Sequence, residues 1–146
     1  MTTATAYDWP RLAFTSHYET LVAIQEALRN EEFDEAWRGL EELTDAVSRV
    51  DRRVVKSHLI RLMAHVLKWK AQPSGRCKSW VWSILHARDE MSDAQEDTPS
   101  ITDEVIEEMW TKSFERAKVW AERETAMNIK IAALTWQEVF EDQYEI

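Results

Sequence analysis

Glycine and proline are nearly missing from this chain: two glycines and three prolines in 146 residues leave little material for tight turns. A sandwich or barrel needs many turns, so the shortage points instead to a few long helices. Cysteine is scarcer still. With Cys77 alone there is no internal disulfide, and the fold asks for no oxidising compartment. No stretch comes near the run of about 20 apolar residues that a membrane helix requires. The opening residues MTTATAYDWPRL show neither the basic flank nor the apolar core of a secretory leader. These absences lead to the expectation of a cytoplasmic protein without a membrane partner.

What is present fits a folded chain. Hydrophobic residues make up 45 % and charged residues 31 %, and the length suits one helical domain over residues 1–146. Eight tryptophans supply more apolar surface than a chain of this size usually carries.

Periodicity predicts an all-α fold, a single compact antiparallel bundle of about five helices plus a short C-terminal one. The first helix covers Thr15 to Asn30, with Tyr18, Leu21, Val22, Ile24 and Leu28 turned inward. A second starts near Asp34 and turns Trp37, Leu40, Leu43 and Val47 inward. It is expected to kink or break around Ser48 to Asp51, where a serine and an aspartate offer new caps. The third runs to Ala71 with Val55, Leu59, Leu62, Val66 and Trp69 on one stripe, and must stop before Pro73. The fourth, from Lys78 to Ala94, aligns Trp80, Ile84, Ala87 and Met91. After the acidic QEDTPSITD connection, Ser100 and Asp103 read as a capping box for a fifth helix striped by Ile106, Met109, Trp110, Ala117 and Trp120. Thr135 and Glu138 form a second such box before a short helix ending near Asp142.

The net charge of −9 conceals a segregation. Between residues 52 and 88 lie nine cations and no acid, while the other 109 residues hold nine cations and all 27 acids. One reading is internal neutralisation, with EEFDEAWRGLEELTD (residues 31–45, seven acids against Arg38) lying beside the basic segment. The other is an anion-binding surface on the third and fourth helices. On a helical wheel His58 and His65 share one edge of the third helix, with Arg61 and Lys68 just beyond and Gln72 between the pairs. That polar flank leads into the turn carrying Arg76, and a fourth helix folding back brings Trp80 and Arg88 to it. Half-buried rim histidines bonded to backbone or to nearby acids are the plainer account of the same pattern.

The run LIRLMAHVLKWKAQPSGRCKSWVWSILHARDEM resembles the signature of a bacterial family catalogued as domain of unknown function twenty-nine. The matching elements are His65, Lys68 and Trp69, then Gln72-Pro73, Arg76, Ser79-Trp80, Ile84 and Arg88. Looser similarity covers LEELTDAVSRVDRR and TWQEVFEDQY, and Ser48 stands where the family tends to have glycine. The resemblance implies a compact, all-helical bacterial protein; it supplies no activity and no catalytic residue.

Catalytic motifs are not in evidence. His17, His58, His65 and His86 show no HExxH or HxxxH spacing, and a lone cysteine builds no structural zinc site, so no metal and no cofactor is expected. Glycines at 39 and 75 alone leave no phosphate loop. Three functional classes remain. The first is a non-enzymatic interaction module binding another protein or itself. The second is nucleic-acid or anion binding through residues 52–88, with Trp80 or Trp82 available for base stacking, opposed by the overall acidity. Either would suit a small regulatory or toxin–antitoxin component. The third is an enzyme in which Arg61, Lys68, Arg76 and Arg88 clamp an anion and His65 moves a proton, so that His65→Ala abolishes turnover without loss of fold. Exposed Trp82 and His86, on the outer face of the fourth helix, would make a contact patch.

Overall fold

The computed structural model describes residues 7–146; residues 1–6, read above for leader features, lie outside the described residues. The fold is all-α, with no strand among the described residues. Among the described residues six α-helices follow in order: α1 (Trp9–Thr15), α2 (His17–Arg29), α3 (Phe33–Ala71), α4 (Lys78–Asp97), α5 (Asp103–Glu108) and α6 (Trp110–Thr125). A 3₁₀ turn at Pro73–Gly75 joins α3 to α4, and a π turn at Gln137–Glu141 follows α6. No helix among the described residues is long and apolar enough to cross a membrane.

Contacts divide the chain into two units, one ending at Asp51 and the other Arg52–Ile146. In the first, Asp8 caps α1 and Pro10 sits in its opening turn. Ser16 then closes α1 and opens α2, its hydroxyl accepting from the Glu19 amide at 3.1 Å. The α2–α3 connection turns on Glu31, whose φ of 59° is left-handed, and the Glu32 amide donates back to the Ala27 carbonyl. Equal distances along the chain from this turn bring Ile24 against Gly39, so α2 and the start of α3 run antiparallel. The packing is close: a Cβ on Gly39 would fall 2.7 Å from both Ile24 and Trp9. The small core here is Trp9, Ile24, Ala27, Ala36 and Leu43.

This core corrects the predicted facing. Thr20, Ile24 and Ala27 are the buried residues of α2, while Tyr18, Leu21, Val22 and Leu28 are exposed. On α3 the inner positions are Ala36, Gly39, Leu43 and Ala46, and Trp37, Leu40 and Val47 face solvent. Small residues sit inside because they let the helices approach; the bulky ones lie one position further on and are rotated out. Of the kink or break expected between Ser48 and Asp51, the break is absent, since α3 is a single helix of 39 residues.

In the second unit the predicted stripe holds. Val55, Leu59, Leu62 and Val66 are all but sealed from solvent, and Trp69 is 8 % exposed. The four aliphatic residues pack with Ile84, Ala87 and Met91 of α4 and with Ile106, Ala117 and Ala121 beyond. His58 of α3 faces Glu90 and Lys68 faces Trp80, so α4 returns antiparallel. Lys68 also meets Glu124, and His65 meets Trp120, so α6 runs parallel to α3 in an up-down-up arrangement. The α5 cap is Thr102, which accepts from the Val105 amide at 3.3 Å, rather than Ser100. Met109 then separates α5 from α6. After Ala126, left-handed at φ 55°, the chain runs back along α6. The Glu122 carboxylate accepts from the Ile129 amide, and the Trp110 indole donates to the Leu134 carbonyl. Thr135 and Glu138 do form a reciprocal capping box, each side chain accepting from the other's amide at 3.0–3.1 Å.

Candidate functional site

The α3–α4 corner gathers most of the residues singled out in the sequence, in two groups. At its centre is Lys68. The stem lies on the core face of α3 and only 6 % of the side chain is exposed, so its charge needs a partner. The ammonium donates to the Glu124 carboxylate at 2.5 Å and lies 5.0 Å from the centre of the Trp80 ring. Trp120 donates its indole N–H to the same carboxylate. Burial would raise the Glu124 carboxyl, but the bonds from Lys68 and Trp120 and the Lys68 charge bring it below the usual range. His65, one turn back, has Nδ1 2.9 Å from the Arg61 carbonyl. That bond requires the proton on Nδ1 and leaves a lone pair on Nε2. Burial holds the imidazole below its ordinary range, and the Lys68 and Arg61 charges push the same way against the Arg61 carbonyl and Glu124.

The second group is built on Trp69. Arg76 donates through Nε to the Trp69 carbonyl at 2.9 Å and lays its guanidinium over the Trp69 ring at 4.6 Å. Trp69 meets Tyr144 edge-on at 5.6 Å, and Arg88 lies 5.5 Å over the Tyr144 ring while donating to the Val139 carbonyl at 2.8 Å. Lys70 pairs with Glu138, whose carboxyl is held low first by that bond and then by the Thr135 amide. Burial, reinforced by Asp142, lifts the Tyr144 hydroxyl to about 12. Arg76 and Arg88 therefore tie the turn after α3 and the π turn to the bundle by filling carbonyl acceptors at the ends of elements. Gln72 and Trp80 close on Gly75, where a Cβ would lie 2.7 Å from the Gln72 oxygen and 2.8 Å from the Trp80 ring.

The polar flank drawn on the wheel is thus not one surface. His65, Lys68 and Trp80 come together; Arg76 and Arg88 surround Trp69 and Tyr144; Gln72 packs in the turn. Arg61 is exposed. His58 faces away toward α4, where Glu90 lies 3.8 Å from His58 Nε2 and 3.7 Å from His86 Nε2. Among the described residues, the acids that pair with the basic segment within the second unit are Glu90, Glu108, Glu124 and Glu138. Among the described residues no three His, Cys, Asp or Glu side chains are arranged to hold a metal.

Beside the corner lies an open groove of about 770 Å³. One wall is a single face of α4, Lys78, Val81, Trp82, Leu85 and Arg88; the other is residues 143–146. Trp82 is 62 % exposed and Leu85 51 %, and the Trp82 ring stacks flat on His86 at 4.6 Å. Sequence reading found Trp82 and His86 but not the groove. Leu85, three residues on, carried the signal for one wall; the C-terminal wall has no periodicity to betray it. Chemically the groove offers apolar contact with a cation at one side, Lys78.

No curated protein and no solved structure matches the chain. The profile described as domain of unknown function DUF29 does, over residues 17–144. That span takes in both units, the corner and the α4 wall of the groove, and the chain belongs to the DUF29 family.

Proposed function

We propose that this protein is a non-enzymatic helical interaction module of the bacterial cytoplasm, binding another protein through the groove between α4 and residues 143–146. The observation that carries the reading is the division between corner and groove. At the corner, Lys68, Arg76 and Arg88 are turned onto Glu124 and backbone carbonyls, while Trp82 and Leu85 stand open in an apolar groove. Exposed tryptophan beside aliphatic side chains is typical of surfaces that dock a partner. The chemistry that fits is the apolar face of a helix with a carboxylate placed to meet Lys78. A role in a small regulatory pair is one case of this reading.

The nucleic-acid reading keeps one supporting observation: Arg53 and Arg61 are exposed on the basic part of α3, with no acid in ion-pair distance among the described residues. Both readings are tested by capture from native lysate with wild-type protein beside Trp82→Ser/Leu85→Ser and Arg53→Glu/Arg61→Glu, with bound protein and nucleic acid identified. A discrete protein lost only in the first variant supports the module. Nucleic acid released by moderate salt and lost in the second variant would replace it.

A further inference from the structure

The first unit carries a second apolar surface, and its pattern is specific. On α2 the buried positions are 20, 24 and 27; on α3 they are 36, 39, 43 and 46. One residue beyond these positions stand Leu21 and Leu28 on α2, and Trp37, Leu40 and Val47 on α3. All are 40–64 % exposed. One residue is a rotation of about 100°. In two antiparallel helices the same rotation brings both rows to the same side of the hairpin. Tyr18 and Phe33, at 75 % and 62 % exposed, extend it. The inner face is made of alanine, glycine and threonine with few large residues, and the bulky side chains are outside. For a free surface this is an inverted pattern, and it is the pattern of a helix with a partner on its outer side.

The charge on α3 indicates what that partner is. Residues 31–45 hold seven acids against Arg38, and residues 49–56 hold Arg49, Arg52, Arg53 and Lys56 against Asp51. A second α3 laid parallel would set acids on acids. Laid antiparallel, it sets each acidic half beside the other's basic half and opposes the two helix dipoles as well. A twofold axis passing between Leu43 and Thr44 places Trp37 over the second copy's Val50 and Leu40 over its Val47. It also sets Glu31 and Asp34 toward that copy's Lys56 and Arg53, the like charges being confined to Glu42 with Asp45 and Arg38 with Arg49 nearer the axis. We infer that this face is a self-association surface, and that α3 pairs antiparallel with α3 of a second copy of this chain, flanked by α2. The inference extends the interaction-module reading to a surface other than the groove, and the two fail separately.

Sedimentation equilibrium of the full chain, from micromolar to submillimolar concentration, tests it. A dimer is expected, weakened at least about 30-fold by Trp37→Glu, as for an aromatic residue central to an interface. Because Trp37 is exposed in the single chain, helicity and melting temperature extrapolated to low concentration should not fall. In a Cys77→Ser background, Thr44→Cys should give a disulfide-linked dimer on mild oxidation and Leu40→Cys should not. A monomer throughout, or a dimer indifferent to Trp37→Glu, overturns the inference and leaves the face to a different occupant. Equal cross-linking by Leu40→Cys overturns the antiparallel arrangement. Loss of the dimer in Trp82→Ser/Leu85→Ser instead moves self-association to the groove and also overturns it.

Discussion

At the scale of single residues, Lys68 shows how a buried cation can serve the fold without being indispensable. Its stem is sealed among apolar neighbours, but its partner Glu124 keeps 44 % of its side chain in solvent. Removing only the ammonium leaves a carboxylate that water can reach. Lys68→Met should therefore change the unfolding free energy by less than about 1 kcal/mol, as for an exposed pair. Lys68→Ala also removes the packed stem and should cost about 2 kcal/mol or more. Urea denaturation of the two variants separates them; equal losses would mean the charge, not the stem, is what matters. The glycines make a sharper case. Alanine at Gly39 must displace Ile24 and the Trp9 ring, and alanine at Gly75 must displace the Trp80 ring. Each should cost about 1–3 kcal/mol by overpacking, and a stability gain in either, as the reduced backbone freedom of the unfolded chain alone would give, would refute the close approach.

At the scale of elements, the second unit was largely legible in the sequence. Val55, Leu59, Leu62, Val66 and Trp69 repeat at helical spacing with large side chains, and Pro73 stops α3 where proline must. Thr135 and Glu138 announced their capping box for the same reason: the chemistry is local. The first unit misled because its inner face is Ala36, Gly39 and Ala46, residues with little hydrophobic signal, beside an outer row of larger ones. The cap falls on Thr102, two residues beyond the expected Ser100, and α1, only seven residues long, shows too little periodicity to find. The candidate site was half legible. Of the residues the wheel grouped, His65 and Lys68 lie beside the corner aromatics, His58 turns toward Glu90 and Arg61 is exposed. Arg76 and Arg88 aim at backbone carbonyls, which no pattern of side chains reveals. One terminus is open to improvement. Ala126 ends α6 in a left-handed conformation that costs an L-residue about 1–2 kcal/mol. Ala126→Gly should raise the melting temperature by a few degrees; a fall would show that the glycine's own flexibility outweighs the relief of strain.

At the scale of the whole molecule, pH links these groups. The Glu124 and Glu138 carboxyls titrate below the usual range in the fold, so the unfolded chain takes up protons first as pH falls. Their stabilisation is complete above the ordinary carboxyl value near 4.3 and is lost as pH drops through their folded values. His65, held below its ordinary value near 6.5, acts in the same direction at higher pH: the fold favours the neutral ring, and stability begins to fall below that value. Melting temperature should thus decline in two stages on acidification, and His65→Asn, which keeps a donor for the Arg61 carbonyl, should remove the first. An unchanged first stage would assign it to other groups. The second unit divides its labour: the corner holds the fold together, and the groove beside it is open to the partner proposed above. Thermal unfolding of Arg76→Ala beside Trp82→Ser tests it most directly. Arg76→Ala loses a bond to the Trp69 carbonyl and the stacking on its ring, and should lower the melting temperature by several degrees. Trp82→Ser, at an open position, should leave it nearly unchanged. The reverse result, a stable Arg76→Ala and an unfolded Trp82→Ser, would make the groove tryptophan part of the scaffold and the corner the surface to explore.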